Sequence, residues 1–288
     1  MKLFRHGQPG QERPGILIDE QHLDISAGFK EDYDGNFFSS GGIGRLSDWL
    51  STHKNQCPVL SEGFRFAAVI ASPSKIVCVG LNYTDHSKET GTALPKEPVL
   101  FFKSTTAICG PNDDIIIPRE SKKTDWEVEL AFVIGKKASY VKEKDAIDYV
   151  VGYILHNDYS ERAFQMERGG QWVKGKSCDT FAPIGPWLVT PDEIEDVHQL
   201  RLWLKLNGKT MQDGNTSNLV FKIPFLIHYI SSFMTLLPGD IISTGTPAGV
   251  GLGQKPEPFY LKPGDLVELG IDGLGSASQH LVSYKDPI

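Results

Sequence analysis

The segment at residues 124–135, TDWEVELAFVIG, places two carboxylates inside an otherwise apolar run with the pattern of a β-strand. Residues i and i+2 of a strand share a face, so Glu127 and Glu129 should point the same way, while the apolar residues around them belong to a core strand. Two like charges on a half-buried surface repel each other and lose hydration, and a bound cation relieves both costs. The pattern therefore requires a core strand that carries an acidic pair, and it indicates a metal site.

A third carboxylate follows a second apolar run. Residues 150–155, VVGYIL, have the composition of a buried strand, and Asp158 lies just beyond the point where that strand should end. Three hard oxygen ligands, with no Cys or His cluster to match them, favour Mg²⁺ or Mn²⁺ over Zn²⁺, and Ca²⁺ is a further option. Glu127, Glu129 and Asp158 are therefore the candidate metal ligands.

The same acidic residues also fit a structure without a metal. Glu127 and Glu129 would then form surface ion pairs on an edge strand with Lys122 and Lys123, and Asp158 would cap the next helix. Acidic pairs are common in proteins, and the spacing alone does not choose between the two interpretations. The metal site therefore needs support from the rest of the sequence.

Length and charge exclude one class of partner. A chain of 288 residues can bury a substantial core, either as one large domain or as a small domain beside a larger one. Its formal net charge of −7, without any Lys/Arg cluster, argues against nucleic acid as a partner. A small anionic substrate would need local positive charge or a bound metal ion.

The cysteines and the first residues predict a location. No apolar run approaches the length of a membrane span, and residues 1–7 lack the apolar core of a signal peptide. The cysteines are scattered and form no C-x-x-C pair, which favours reduced thiols over disulfides. We therefore expect a cytoplasmic protein with no membrane partner.

Composition along the chain suggests two domains. Residues 1–72 should form a small N-terminal domain and residues 73–288 a larger one, with the boundary at a Ser-Pro-Ser sequence. The first part contains short strand-like pieces and a helical pattern at residues 43–50. The second part is rich in strands that are punctuated by Gly and Pro.

Turn and helix signals complete the prediction of the fold class. Asn207-Gly208 follows an alternating run and indicates a β-hairpin with a type I′ turn. Helices are fewer, and the best candidates lie at residues 144–149, 161–168 and 225–236. The sequence therefore predicts a mainly β architecture with some helices (α+β), rather than a parallel βαβ sheet.

A histidine and a glutamate follow the apolar strand at residues 76–79. If the segment after Asn82 is helical, His86 and Glu89 are three residues apart and face each other. A carboxylate that holds one imidazole nitrogen fixes the tautomer and leaves the other nitrogen as a base, which is a way to activate water. The alternative is an exposed histidine beside a surface glutamate.

Other polar residues lie in segments rich in turns. Lys176 stands in such a segment, where it would either be solvated or neutralise negative charge on a metal-bound anion. Arg162 and Gln165 share a helical face just after Asp158. The Gly-rich run at residues 243–253 lacks the Gly-Lys-Ser/Thr ending of a phosphate loop, but its amides and the Thr246 hydroxyl could hold a small acid's carboxylate.

In order along the chain, these segments resemble the fumarylacetoacetate hydrolase superfamily. The resemblance covers about residue 74 to the C-terminus, and its motifs here are GLNYTDH, DWEVELAFVIG, HNDYSERAFQ, KGKSCDTFAPIGP and STGTPAGVG. It implies a mixed β-roll fold, a homodimer, and Mg²⁺ or Mn²⁺ acting on 2-oxo acids.

The resemblance also implies roles for individual residues. The family's metal ligands map to the three carboxylates already singled out, Glu127, Glu129 and Asp158. A His-Glu dyad on a mobile lid maps to His86 and Glu89. The family's substrate contacts map to Lys176, which would also act in catalysis, Gln165 and Thr246. We expect Tyr83 and Arg162 as further substrate contacts.

The function that follows is a metal-dependent hydrolase that cleaves a C–C bond of a 2,4-dioxo acid derived from a sugar acid and releases pyruvate and a second acid. The chain resembles a bacterial branch whose members are labelled ureidoglycolate lyase, 2-hydroxyhepta-2,4-diene-1,7-dioate isomerase, or 2,4-diketo-3-deoxy-L-fuconate or -rhamnonate hydrolase. Oxaloacetate decarboxylation, isomerisation of a dienoic acid and ureidoglycolate cleavage are therefore alternatives. A β-rich ligand-binding module with a structural cation is the alternative without catalysis.

Overall fold

The computed structural model describes residues 1–91 and 93–285. Strands dominate it, as the sequence predicted. They are β1 (Lys2–His6), β2 (Arg13–Ile18), β3 (Gln21–Asp24), β4 (Phe66–Ala67), β5 (Ile76–Gly80), β6 (Val99–Lys103), β7 (Ile108–Cys109), β8 (Ile115–Ile117), β9 (Thr124–Asp125), β10 (Val128–Ile134), β11 (Val150–Asn157), β12 (Ser160–Glu161), β13 (Ala182–Pro183), β14 (Leu188–Val189), β15 (Arg201–Leu206), β16 (Lys209–Asn215), β17 (Ile241–Ser243), β18 (Leu266–Ile271) and β19 (Gly275–Ser283).

Helices are short and connect or cover the sheets. The α-helices are α1 (Gly35–Ser39), α2 (Gly42–His53), α3 (Thr84–Thr90), α4 (Arg162–Met166), α5 (Val173–Lys176) and α6 (Ile223–Ser231). Short 3-10 helices lie at Lys54–Gln56, Thr105–Ala107, Glu143–Tyr149, Pro191–Glu193, Val197–Gln199, Thr216–Asn218 and Gly251–Gly253. The mainly β, α+β class is confirmed. Within the residues described, no helix combines the length and the apolar character needed to cross a membrane.

The larger sheet positions the site. Its strands run in the order β3-β2-β1-β14-β11-β10-β17-β5-β6, and β4 pairs with β1. Every residue of β10 is buried, because this strand has sheet neighbours on both edges and packed side chains on both faces. The prediction of a core strand is confirmed for residues 128–134, which include Glu129.

The N-terminal strands belong to this same sheet. β1 pairs with β2 and β4, and it also pairs with β14, where Leu3 lies opposite Leu188. Side chains of both parts of the chain, such as Leu3 and Ile154, belong to one hydrophobic core. The division into domains at residues 72 and 73 stays a prediction, and any such domains share a sheet.

A second sheet has the order β16-β15-β18-β19-β8 and lies against β10 through β15 and β18. The predicted hairpin joins β15 to β16. Its two turn residues, Asn207 and Gly208, have φ values of 51° and 79°, the left-handed values that a type I′ turn requires. Apolar side chains from the two sheets, among them Leu130 and Leu204, pack into the core between them.

Helices are present at the predicted positions, but their lengths differ from the predicted ones. α2 covers the predicted helix at residues 43–50, and residues 143–149 form a 3-10 helix. α6 ends at Ser231 instead of residue 236, because Leu236 exchanges two backbone hydrogen bonds with Ala138 of 2.8 and 2.9 Å. A long-range bridge therefore ends a helix that the local apolar pattern would continue.

Candidate active site

The acidic segment is not one continuous strand. β9 ends at Asp125 and β10 begins at Val128, so Glu127 lies in a break, and the prediction of an unbroken strand was wrong here. The reason lies in two distant side chains. The N–H of Glu127 donates to Oδ1 of Asn157 at 3.0 Å, and the N–H of Val128 donates to Oε1 of Gln212 at 2.9 Å. Because these two amides have hydrogen-bond partners outside the sheet, the backbone can leave the strand at Glu127. The Glu127 carboxylate can then point into the site.

Three carboxylates meet beside this break. One oxygen each from Glu127, Glu129 and Asp158 lies within 4.8 Å of the other two, and all three residues are buried. β10 and β11 are antiparallel neighbours, and the N–H of Asp158 donates to the carbonyl of Glu127 at 2.9 Å just beyond the end of β11. The predicted convergence of the three acids is therefore present.

Glu129 is a buried member of the cluster. Its Oε2 accepts hydrogen bonds from the Ser243 hydroxyl at 2.5 Å and from the N–H of Gly245 at 3.0 Å. Burial raises the pKa of Glu129 well above its ordinary value, and the charges of Asp158 and Glu127 raise it further. A positive charge placed among the three acids would relieve this cost.

Two lysines supply part of that charge. Lys176, at the end of α5, places Nζ 2.6 Å from Oε2 of Glu127 and 2.8 Å from Oδ2 of Asp158, while Lys103 binds Oδ1 of Asp158. Burial opposes ionisation of Asp158, but the two lysine charges outweigh it and lower the pKa of Asp158 below its usual range. Burial also disfavours the charged form of Lys176, yet Asp158 and Glu127 prevail and raise the pKa of Lys176 to about 12.

The sequence reasoning missed Lys103. This residue ends β6, is 2% exposed, and also donates to the carbonyl of Tyr159 at 3.0 Å. The available signal was a lone lysine that closes the apolar run at residues 99–103. A buried lysine needs an acidic partner, and that requirement could have pointed to the site.

The donor set fits a divalent cation. Three carboxylates supply only hard oxygen ligands, which suit Mg²⁺, Mn²⁺ or Ca²⁺. Both oxygens of Glu127 and of Asp158 already contact Lys176, Arg162 or Lys103, so a bound ion would share these oxygens with the three cationic side chains. The raised pKa of Glu129 is the further observation that favours a cation, since like charges at this separation otherwise oppose ionisation.

Arg162 and Gln165 reach the cluster from α4. One guanidinium nitrogen of Arg162 lies 2.7 Å from Oε1 of Glu127 and 2.8 Å from Oδ2 of Asp125, and another donates to Oε1 of Gln165 at 3.1 Å. The charge of Arg162 therefore holds Glu127 and Asp125 in place. Asp125 is a second residue that sequence reasoning missed, although it stands in the same motif as Glu127.

The predicted histidine-glutamate pair forms on α3. Nδ1 of His86 lies 3.2 Å from Oε2 of Glu89, and Oε1 of Glu89 accepts from the N–H of Gly249 at 2.9 Å. Helical spacing brings the two side chains together, as the sequence indicated. The mobile lid that the resemblance implies would cover about residues 82–92, of which Thr92 lies outside the described residues. Its mobility stays a prediction.

One cavity of about 480 Å³ joins these groups. Lys255 lines it, and predicted site residues supply the other polar side chains, namely His86, Glu89, Glu127, Glu129, Arg162, Gln165, Lys176 and Thr246. Its other lining is largely apolar and includes Leu81, Phe101, Met166, Trp172 and Leu252. Eight of the ten predicted residues therefore line one cavity. A ninth, Asp158, does not line it but binds Lys176, which does.

Tyr83 and Thr246 are bonded differently from the other predicted substrate contacts. Tyr83 is completely buried, and its hydroxyl has no hydrogen-bond partner within residues 1–91 and 93–285. The hydroxyl of Thr246 donates to the carbonyl of Val128 at 2.9 Å and accepts from Nε2 of Gln212 at 2.8 Å. The roles of Tyr83 and Thr246 toward a substrate stay predictions.

The Gly-rich loop binds carboxylates of the protein itself. The amides of Gly245, Gly249 and Gly251 donate respectively to one oxygen each of Glu129, Glu89 and Asp125 at 2.6 to 3.0 Å. These amides are therefore engaged, instead of being open to the substrate carboxylate that the sequence led us to expect. The loop therefore holds three of the protein's own carboxylates in position.

The arrangement matches a known family. The family model described as "Fumarylacetoacetate (FAA) hydrolase C-terminal" matches residues 75–282, which is more than half of the chain. The chain belongs to the fumarylacetoacetate hydrolase family. This assignment confirms the resemblance drawn from the five motifs, and it identifies the sheets described above as a fumarylacetoacetate hydrolase fold.

Similar proteins support this family and cover nearly the whole chain. A Burkholderia cenocepacia protein, whose name describes it as a candidate hydrolase, is 52% identical over 97% of this chain and 98% of its own length. A fumarylacetoacetate hydrolase from psychrophilic Exiguobacterium antarcticum is 33% identical, with a TM-score of 0.86 over 99% of this chain and 100% of that chain. A maleylpyruvate hydrolase from Sphingobium sp. SYK-6, in complex with manganese(II) and pyruvate, is 28% identical, with a TM-score of 0.83 over the same shares. These likenesses support an enzyme of the hydrolase and isomerase family.

Proposed function

We propose that this family member is a divalent-metal-dependent hydrolase that cleaves the C3–C4 bond of a 2,4-dioxo acid derived from a sugar acid, and releases pyruvate and a second acid. The observation that carries the proposal is the meeting of three buried carboxylates with a histidine-glutamate pair in one cavity. The manganese and pyruvate in the Sphingobium maleylpyruvate hydrolase structure are consistent with a metal and a 2-oxo acid at such a site.

Glu127, Glu129 and Asp158 would hold the ion. When bound, a divalent ion supplies Lewis-acid polarisation of the substrate's 2-oxo group and lowers the energy of the enolate that cleavage releases. Oxygen ligands and the raised pKa of Glu129 favour this assignment. Mg²⁺ and Mn²⁺ are the expected ions, with Ca²⁺ as an alternative.

His86 would be the base. With its Nδ1 proton donated to Glu89, the imidazole has a lone pair on Nε2 that can take a proton from a water molecule. Glu89 is itself held by the N–H of Gly249, so the pair has a fixed orientation. The water oxygen would add to the C4 carbonyl, and its proton would pass to His86.

Lys176 would stabilise the developing charge. Its raised pKa, about 12, keeps the ammonium protonated at neutral pH beside the position where the oxyanion and then the enolate would form. When the C3–C4 bond breaks, its electron pair forms the pyruvate enolate, which takes up at C3 the proton that His86 removed from water. Phe101 and Trp172, whose ring centroids are 5.3 Å apart, would limit access of bulk water from the apolar side of the cavity.

The test of the reaction is a substrate panel. Purified protein with Mg²⁺ should release pyruvate from a 2,4-dioxo acid at least ten times faster than it decarboxylates oxaloacetate or releases glyoxylate from ureidoglycolate. A dienedioic acid should be tested by its absorbance change to detect isomerisation. Fast turnover of one of these other compounds alone would contradict the hydrolase assignment. Binding without any turnover would indicate a ligand-binding module.

Metal dependence needs a separate measurement. Protein treated with EDTA and then freed of it should lose hydrolysis, and addition of Mg²⁺, Mn²⁺ or Ca²⁺ should show which ion restores it. Full activity in excess EDTA would contradict the metal assignment.

A further inference from the structure

A buried histidine lies behind the carboxylate cluster and has no part in the mechanism above. His156 stands on β11, directly opposite Glu129 on β10. Its Nδ1 lies 2.7 Å from the hydroxyl oxygen of Ser243 on β17, and that hydroxyl oxygen lies 2.5 Å from Oε2 of Glu129. His156 and Ser243 are 0% exposed and Glu129 is 2% exposed. Three strands of one sheet therefore supply one continuous row of polar atoms.

The number of protons fixes the direction of this row. A glutamate that binds a metal ion is an acceptor only, so the single hydroxyl proton of Ser243 must point at Glu129. The Ser243 oxygen can then only accept from His156, which must carry its proton on Nδ1. Nε2 is left as a bare lone pair, and it has no hydrogen-bond partner in the described part of the chain. The reverse direction would bury an N–H without an acceptor, which costs more.

The row ends on one oxygen of Glu129. Both the Ser243 hydroxyl and the N–H of Gly245 donate to Oε2, so Oε1 keeps its capacity to bind a cation. Without the N–H of His156, the hydroxyl of Ser243 could rotate away and Glu129 would lose one of these two restraints. Hydrogen bonds to a metal-binding carboxylate fix its orientation and commonly change metal affinity.

We propose that His156 is a positioning residue, which acts through Ser243 to hold Glu129 in the orientation that binds the divalent ion. This role rests on the proposed function only in requiring that the carboxylate cluster binds a divalent ion. It does not depend on the substrate or on the reaction. His156 would touch neither the ion nor the substrate.

The test is the affinity of the purified full chain for Mn²⁺, measured by calorimetry and by the rise in melting temperature that Mn²⁺ produces. His156→Leu should weaken Mn²⁺ binding by about 10- to 100-fold, the range for loss of a group that supports a metal ligand. His156→Asn places an amide N–H near the position of Nδ1 and should restore most of the affinity. His6→Leu is the matched control, since His6 is a buried histidine far along the chain from the three acids, and its Mn²⁺ affinity should be unchanged.

A double-mutant cycle distinguishes a relay, in which His156 acts on Glu129 through Ser243, from general damage to the fold. Ser243→Ala should weaken Mn²⁺ binding at least as much as His156→Leu, and the double variant should bind no more weakly than Ser243→Ala alone. Additive losses, or Mn²⁺ binding by His156→Leu within twofold of the unaltered protein, would overturn the proposal. If His156→Leu does not fold, the same cycle with His156→Phe and Ser243→Ala decides the question, and unchanged binding by Ser243→Ala refutes the relay.

Failure of the positioning role can be distinguished from failure of the proposed function. If the unaltered protein binds Mn²⁺ and hydrolyses a 2,4-dioxo acid while the variants bind Mn²⁺ equally well, only the role of His156 is wrong. If the unaltered protein does not bind Mn²⁺, both the positioning role and the metal-dependent function are wrong. If it binds Mn²⁺ with the expected losses in the variants but hydrolyses nothing, the positioning role stands and the proposed reaction is wrong.

Discussion

The carboxylate cluster and the histidine-glutamate pair are built in contrasting ways. Glu129 and Asp158 are fixed by the sheet and by buried side chains from other strands and helices, such as Ser243 and Lys103. The pair on α3 reaches the Gly-rich loop through one hydrogen bond of Glu89 to the N–H of Gly249. A site assembled within a core keeps its geometry without a ligand, whereas a helix that docks on a loop can leave it.

This difference assigns separate tasks to the two regions. Metal binding should depend on the buried cluster alone, and proton transfer should depend on whether α3 is docked. Changes in the cluster should therefore remove both properties, while changes on α3 should affect only the chemical step. The following experiments test this separation, beginning with the largest expected effect.

Glu129→Ala should abolish both divalent-ion binding and hydrolysis, because it removes one of the three buried carboxylates that would hold the ion. The fold should persist, since open hard-cation sites are seldom the main source of stability. Mn²⁺ calorimetry, activity assays and circular dichroism would check this. Glu257→Ala, which changes an exposed glutamate, should leave all three measurements unaltered. Full activity in Glu129→Ala would remove the metal from the mechanism.

His86→Ala should lower hydrolysis of a 2,4-dioxo acid by about 10²- to 10⁴-fold, the range for loss of a positioned general base. Mn²⁺ affinity should be unchanged, because the cluster does not use α3. Any oxaloacetate decarboxylation should fall much less, since that reaction needs no attacking water. An equal fall in both activities with intact metal binding would mean that His86 orders the lid or binds substrate.

Gly253→Ala should lower hydrolysis by about 10- to 100-fold without changing Mn²⁺ affinity. A methyl group at Gly253 would come within 2.7 Å of Cγ of Glu89, so the carboxylate that orients His86 would be displaced. Small errors in the position of a reacting group cost rate steeply. Gly44→Ala, in α2, meets open space and is the matched control. Normal rates in Gly253→Ala would show that this contact does not orient the base.

Oxalate should give the smallest signal, a local gain in hydrogen-exchange protection. Oxalate resembles the carboxylate and 2-oxo group of a pyruvate enolate, and it should order α3 over the site when a divalent ion is present. Amides at residues 84–91 should exchange more slowly with oxalate, and amides of β10 should not change. Equal exchange at residues 84–91 with and without saturating oxalate would argue against a lid.

Residues close together in the sequence were predictable. Glu127 and Glu129 were found from strand spacing, Asp158 from its place at the end of a second apolar run, and the His86–Glu89 pair from helical spacing. Each prediction needed only the local geometry of one element and the position where a strand ends. The mainly β class followed in the same way from alternation and turn residues such as Asn207.

Contacts between distant parts of the chain were not predictable. Lys103 binds an acid 55 residues away, and Ser243 donates to a glutamate 114 residues away. Neither partner has a local pattern that points to the other. The strand break before β10 has the same origin, because Gln212, 84 residues beyond Val128, takes up its amide. Such contacts depend on the order of strands in the sheet, which local sequence does not encode.

The Gly-rich loop touches both regions with its backbone. Gly245 holds Glu129 and Gly249 holds Glu89, so only three residues of main chain, 246–248, separate the partner of a metal ligand from the partner of the group that orients the base. Gly245 and Gly249 themselves have φ values of 99° and 109°, which favour glycine, but replacement of the Ala248 side chain between them would leave both amides in position. A deletion of one residue between them would instead shift Glu89 relative to Glu129 by about one residue length, roughly 3.5 Å. The number of residues between these two glycines therefore sets the distance across the site.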